Sequence, residues 1–485
     1  MTQKFFKNAF WVGVVNLVLQ LKAIVLVPLL SKKFGTIGYG AWSQVAVLVG
    51  ILSPLLGIGV ESGFSRFTPA QSRSEQVRSL WSVIWFQTIM AAFCAAGLWV
   101  MAKPLSRVIL GGENEFQLVI VCGLVIYATL LLNDVKNFFR VVVSVRYLNL
   151  VLVIQGFGSL AVALTVFIAG GDVLKIVAFG ALFDLLLALG CLAALAAKFG
   201  ITGLDRTIIN KFVSFGWVLL PTAYSMWILN LSDRLFLIHY NPLSVVGVYS
   251  VAYTLGYLPI QLVFNPIWMF FAPIATKEWE TGNRTEIQKI FASSIKLAGF
   301  FIILVLSLMI VFYRPLMLLM TTRDFLVDPW VVSLICLAYS AHMIGSYGAV
   351  VLGLAGKPKL DTYTHFVAAG TNILLNALLI PRFGIYGAAA STCCSFGVQG
   401  ASELMLAARY LRYEFPVLFL AKCGLGAAVL VTIERLLSVT HAGIAIAGVH
   451  VLLFSGLYAL ILFLMRAYSF KEIRGILNHV LVNNG

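Results

Sequence analysis

Charge is what this chain has least of. Of its 485 residues only 11% are Asp, Glu, Lys or Arg, against roughly a quarter in ordinary soluble proteins. Acid is the scarcer sign, 19 Asp and Glu facing 34 Lys and Arg, for a formal net charge of +15. Hydrophobic residues make up 61%, and mean hydropathy is +0.97. So much apolar surface cannot be hidden in a water-soluble core and still be covered by polar groups. A cytosolic enzyme, a secreted disulfide scaffold and a nucleic-acid-binding protein are excluded. The composition is that of a polytopic membrane protein.

Signatures of catalysis and of metal binding are missing as well. The seven cysteines (Cys94, Cys122, Cys191, Cys336, Cys393, Cys394 and Cys423) form no C-x-x-C pair and sit in apolar stretches, so they read as small buried side chains. There is no H-E-x-x-H and no G-x-S-x-G. Gly353-Leu354-Ala355-Gly356-Lys357-Pro358 approaches a phosphate loop, but its glycine spacing is wrong and Pro follows the Lys. The most polar stretches, 66–78, 199–211 and 276–289, are too short for an ATPase or glycosyltransferase domain. No enzyme activity, metal or cofactor is expected. A protein of this kind moves its cargo as a secondary transporter or facilitator.

What the chain does have is length of apolar run. A helix needs about 20 mostly apolar residues to cross the hydrocarbon, and fourteen segments qualify: 8–30, 40–64, 79–102, 116–138, 148–170, 174–198, 212–238, 243–275, 290–313, 327–354, 361–380, 384–408, 416–437 and 442–465. The eighth is long enough to suggest a break near Pro266. Lysines precede the first run, but Asn16, Gln20 and Lys22 interrupt it, so it reads as a spanning helix and not a cleaved signal. With the N-terminus inside, 21 of the 34 Lys and Arg fall in cytoplasmic loops and ten on the opposite side. Lys22, Lys296 and Lys422 fall within apolar segments. That bias places both termini in the cytoplasm, and the basic loops meet anionic lipid headgroups.

The chain also repeats itself. Gly40-Ala41-Trp42-Ser43, entering the second segment, returns as Gly247-Val248-Tyr249-Ser250 entering the eighth. Six helices separate the copies, and an even number restores orientation, so the halves are parallel repeats about an axis along the membrane normal. Phe383-Gly384-Ile385-Tyr386-Gly387 echoes Phe34-Gly35-Thr36-Ile37-Gly38, each a tight turn in which Gly supplies positive φ or close approach.

At these residues the sequence resembles the polysaccharide flippase family, the O-antigen and exopolysaccharide exporters of bacterial inner membranes, which stands with the multidrug and toxic compound extrusion proteins and the lipid II flippases. Three landmarks carry the resemblance: Phe34-Gly35-x-x-Gly38-Tyr39-Gly40-x-Trp42-Ser43, where the family usually has Leu-Gly; Asn230-Leu231-Ser232-Asp233-Arg234 followed by Gly247-Val248-Tyr249-Ser250-Val251-Ala252; and Ile380-Pro381-Arg382-Phe383-Gly384-Ile385-Tyr386-Gly387-Ala388-Ala389. The resemblance implies an all-α integral membrane fold of about 14 helices, with two six-helix lobes (1–211 and 212–412) around a central cavity and two further helices in 413–485. It also implies a substrate, undecaprenyl-pyrophosphate carrying an oligosaccharide, with the polysaccharide polymerase and glycosyltransferases as partners. A cation-coupled multidrug exporter of the same fold is the alternative.

An anionic, hydroxylated headgroup needs cationic and amide side chains, because bare charge in hydrocarbon is costly. Each ionisable residue at a helix centre costs about 2.5–3.5 kcal/mol, so those present are candidates for function. Lys22, Asn16 and Gln20 on the first segment are expected in the cavity, although Lys22 lies roughly 200° round from Gln20. Asp184, midway along the sixth, is a coupling-ion candidate or a static partner for Lys22. Ser250, Tyr253, Tyr257, Gln261, Phe264 and Trp268 form a stripe on the eighth, suited to sugar faces and hydroxyls or to plain packing. Trp227, Asn230 and Arg234 share a face of the seventh, with Asp233 expected to point elsewhere. Asn133, Lys136, Asn137, Arg140 and Ser144 form a basic face at the cytoplasmic end of the fourth. Lys296 is able to snorkel, and Glu403 is expected at the interface.

Overall fold

In the computed structural model, the described residues are 2–437 and 444–465, with side chains described at 15, 22, 24–269, 271–436 and 450–465. They fold into α-helices: α1 (Thr2–Gly57), α2 (Val60–Phe67), α3 (Arg73–Val100), α4 (Ala102–Leu110), α5 (Phe116–Phe138), α6 (Val145–Ile168), α7 (Val173–Phe199), α8 (Arg206–Gly216), α9 (Leu220–Tyr240), α10 (Leu243–Glu280), α11 (Arg284–Met320), α12 (Pro329–Leu354), α13 (Pro358–Phe383), α14 (Ile385–Ala407), α15 (Val417–Leu437) and α16 (Ile444–Leu464). The first expected segment falls on the first arm of α1, the second on its second arm and α2, the seventh on the end of α8 and on α9, and each of the others mainly on a single helix. Eleven described stretches are long and apolar enough to cross a membrane. α14, carrying Ser391, Thr392, Ser395 and Gln399, is not among them.

Local chemistry sets the helix ends. Ser72 and Glu75 close a capping box ahead of α3, and Asp172, Asp205 and Asp328 cap α7, α8 and α12 by accepting from backbone N–H groups. The expected glycine turns are present. Gly35, at φ 63°, is the non-helical residue between the arms of α1, and Gly384, at φ 52°, separates α13 from α14. The expected break near Pro266 is absent, because α10 runs through Pro259, Pro266 and Pro273 as one helix. Membrane helices tolerate proline where neighbouring groups take up the freed carbonyls.

Contacts gather the chain into two compact units. One holds residues up to Ala252 with Met320–Phe325 and His365–Ser395; the other holds Tyr253–Leu319, Leu326–Thr364 and the chain from Phe396 onward. In the first, Val60 and Phe64 of α2, Leu80 and Ile84 of α3, Leu131 and Val135 of α5, Ala188 and Leu192 of α7 and Phe212 of α8 share one apolar cluster. α2 and α8 approach so closely that a Cβ on Gly59 or Gly216 would strike the other's backbone. In the second, Leu304, Phe312, Phe419, Cys423, Phe454 and Tyr458 bind α15 and α16 to α11. Cys394, expected to be buried, is exposed.

Candidate functional site

The first unit brings four helices together around charge. Lys22, on the first arm of α1, donates from Nζ to Ser159 Oγ on α6. One turn earlier on the same face of α6, Gln155 donates from Nε2 to Asp184 Oδ2 on α7 at 3.2 Å. The Gln155 Oε1 accepts from Lys136 Nζ on α5 at 3.4 Å. Asp184 acts electrostatically on both lysines. Lys22, Lys136, Gln155, Ser159 and Asp184 are all only partly buried, so this seam of cations, amide and hydroxyl keeps some exposed surface. Asp184 Oδ1 is buried and has no hydrogen-bond donor among the described residues. Asn16 and Gln20 have side chains outside the described residues.

Arg140 follows α5 at an exposed position, its guanidinium donating to Asn137 Oδ1 at 3.3 Å. The basic face expected to run on to Ser144 is cut short. Residues Phe139–Val143 form a π turn closed by the Ser144 N–H on Phe139 O at 3.0 Å, and five-residue spacing takes Ser144 off the 3.6-residue register. Ser144 instead caps α6 through Arg146 N.

Three interior groups were not anticipated. Asp134 on α5 is 4% exposed and accepts from Gln87 Nε2 on α3 at 3.3 Å, while its Oδ2 has no donor among the described residues. Glu61 on α2 faces Lys136 and Arg140 electrostatically and also acts on Asp134. Asp184 is therefore not the sole well-placed interior acid of this unit.

A second polar knot joins α1, α9 and α10. Asp233, expected to point away, is buried and accepts from Arg234 Nη1 at 3.0 Å and from the Tyr249 hydroxyl at 2.6 Å. Arg234, 6% exposed, also donates to Ser250 Oγ at 3.2 Å and to the carbonyl of Asn230 at 2.8 Å. Asn230 turns its amide back on Met226 O of its own helix. Elsewhere on α9, Ser232 donates to Asn372 Oδ1 at 3.0 Å, and Asn376 bonds both.

The remaining candidates lie in the second unit. The Tyr253 and Tyr339 hydroxyls are 2.9 Å apart, and Tyr257 lies 5.3 Å from Tyr339 between ring centroids. Phe264 and Trp268 stack at 5.4 Å and pack edge-on against Tyr347. The stripe is thus an aromatic layer against α12, with Tyr257 and Gln261 partly exposed. Lys296 on α11 is partly buried. Glu403 is not interfacial: it is 1% exposed and accepts from Gln399 Nε2 at 2.8 Å.

Comparison with known proteins accords with this architecture. An uncharacterized membrane protein of Methanocaldococcus jannaschii is 23% identical over 218 residues, 44% of this chain. The alignment spans 42% of that relative's length. Among solved structures, the lipid II flippase MurJ in an inward closed conformation superposes with TM-score 0.76 at 15% identity, covering 92% of this chain and 97% of that one. An inward-facing multidrug resistance MATE family transporter of the MOP superfamily gives 0.61 at 14% identity, covering 84% and 94%. These structural likenesses establish the all-α membrane fold. The profile of the polysaccharide biosynthesis protein family matches residues 5–279, more than half of the chain. The chain belongs to the polysaccharide biosynthesis protein family.

Proposed function

We propose that this protein carries an undecaprenyl-pyrophosphate-linked oligosaccharide across the bacterial inner membrane by alternating access. The observation that carries the reading is the pair of interior lysines, Lys22 and Lys136, held at one seam by Ser159, Gln155 and Asp184. A pyrophosphate presents several anionic oxygens, and paired ammonium groups offset the cost of moving it through a low-dielectric region. Exposed Arg140 receives the headgroup at the cytoplasmic mouth, and Lys136 and then Lys22 draw it inward. Tyr253, Tyr257 and Gln261 offer ring faces and an amide to the sugars, with Lys296 as a further cation. Asn230 and Arg234 belong to the outer closure. Asp184 is the coupling-ion candidate, since Oδ1 accepts a proton or cation without breaking the Gln155 bridge.

The polyprenyl tail stays in lipid throughout, so the passage opens sideways. The moving parts are the lobes of residues 1–211 and 212–412, with 413–485 alongside and both termini cytoplasmic. Glycosyltransferases act before this step and the polymerase acts after it. The test is complementation of a strain lacking its own repeat-unit flippase: this protein restores surface polysaccharide, and Lys22→Glu at equal membrane abundance does not. Full restoration by Lys22→Glu rejects the assignment.

The second reading, a cation-coupled multidrug exporter, draws support from Glu61, Asp134 and Asp184, three interior carboxylates in one unit. It predicts extrusion of lipophilic cationic dyes from cells, which the glycan reading does not.

A further inference from the structure

Lys22 is not the one lysine that α1 turns toward α6. Lys33 lies eleven residues on, and eleven steps of 100° return to within about 20° of the same face. Its Nζ donates to the carbonyl oxygen of Phe167 and sits 4.4 Å from the centroid of that ring. Next to this contact is a cavity of about 580 Å³, lined by Val25, Pro28, Leu29, Lys32, Lys33 and Phe167. Its lining is aliphatic and aromatic except at the two lysines, and both of those are cations. Ile24 and Val25 beside it are 40% and 42% exposed and Ile168 is 82% exposed, values expected of side chains that meet lipid and not protein.

We propose that this groove binds an anionic phospholipid of the surrounding membrane, with the phosphate between Lys32 and Lys33 and an acyl chain along Val25, Pro28 and Leu29. The lining decides the ligand class. A free inorganic anion gains nothing from an aliphatic wall, and a sugar head finds no amide or hydroxyl side chain among the lining residues. An alkyl chain joined to a phosphate satisfies both halves of the site. Lysine stems lie along apolar surface while their ammonium groups reach the headgroup level, and the Phe167 ring holds the Lys33 ammonium at the groove edge. Asp172 aside, the turn that follows α6 leads to another cation, Lys175, whose stem lies beside Gly171. The groove ends just before the Gly35 bend, so a bound lipid braces the arm of α1 that carries Lys22 against α6. The inference stands on the fold and the groove and is independent of the transported substrate.

Native mass spectrometry of the full-length, delipidated protein in a neutral detergent tests it, with dioleoyl phosphatidylglycerol and dioleoyl phosphatidylcholine as probes. Phosphatidylglycerol is retained and phosphatidylcholine is not. The variant Lys32→Gln/Lys33→Gln loses phosphatidylglycerol affinity about 30-fold, two lysines at about 1 kcal/mol each. Lys103→Gln, on α4, retains it. Should the double variant fail to fold, Lys32→Gln alone lowers affinity about fivefold. Equal retention of the two lipids, undiminished binding by Lys32→Gln, binding of glycerol 3-phosphate as tight as that of the lipid, or binding of undecaprenyl phosphate in place of phosphatidylglycerol each overturns the proposal.

Discussion

Ser250 donates its hydroxyl hydrogen to Ser43 at 3.0 Å, and the two serines occupy the same place in two copies of one motif 207 residues apart. The neighbouring glycines meet in the same reciprocal manner. Gly40 faces the carbonyl of Leu243, and Gly247 faces the carbonyl of Thr36, each pair related by the same offset. Equivalent positions touch one another when a two-fold axis passes between the copies. The repeat read from sequence is therefore a packing relationship, and it places the second arm of α1 against the start of α10.

That crossing has no room for a side chain. A Cβ on Gly247 would run into Thr36 O and lie 2.9 Å from Gly40 N. Gly247→Ala is expected to destabilise the protein by about 1–3 kcal/mol, seen as a lower melting temperature in detergent. Gly97→Ala, with nothing within 4 Å of its Cβ position, leaves the melting temperature unchanged. Equal melting of the two variants contradicts the close crossing.

The Asp233–Arg234 pair predicts an asymmetry between single and double substitutions. Arg234→Met strands a buried carboxylate and is expected to cost about 3–5 kcal/mol. Asp233→Asn/Arg234→Met removes both charges and recovers most of that loss. Melting temperatures of the three purified proteins measure it, and a double variant as unstable as the single one shows that the pair is not the source of the effect.

The proposed coupling role of Asp184 is tested by removing its charge. Asp184→Asn keeps the shape and the Gln155 contact but loses the charge proposed to bind a proton or cation. Transport into proteoliposomes is expected to lose its dependence on an imposed pH or sodium gradient while downhill movement persists. Gradient dependence equal to wild type assigns coupling elsewhere, with Asp134 and Glu61 as the other acids of this unit to examine.

The helices were legible because a span of about 20 apolar residues has one stable form in lipid. The Gly35 and Gly384 turns were legible because positive φ favours glycine. Asp134, Gln87 and Glu61 were not: a lone polar residue barely alters the hydropathy of its span, and its partners come from helices far away in sequence. Asp233 was misplaced because 100° between neighbours describes Cα positions, whereas the long Arg234 side chain folds back to reach Oδ1. The Phe139–Val143 π turn was hidden for a related reason, since helical-wheel counting assumes one constant period.

Movement of a defined lipid-linked glycan tests the central claim most directly. In proteoliposomes loaded with a fluorescent undecaprenyl-pyrophosphate oligosaccharide, an added membrane-impermeant glycosidase reports which leaflet holds the sugar. Wild-type protein is expected to bring the inner-leaflet pool to the enzyme, whereas Lys22→Glu leaves it protected as in protein-free vesicles. Protection in the presence of wild-type protein, or equal exposure by Lys22→Glu, contradicts the account.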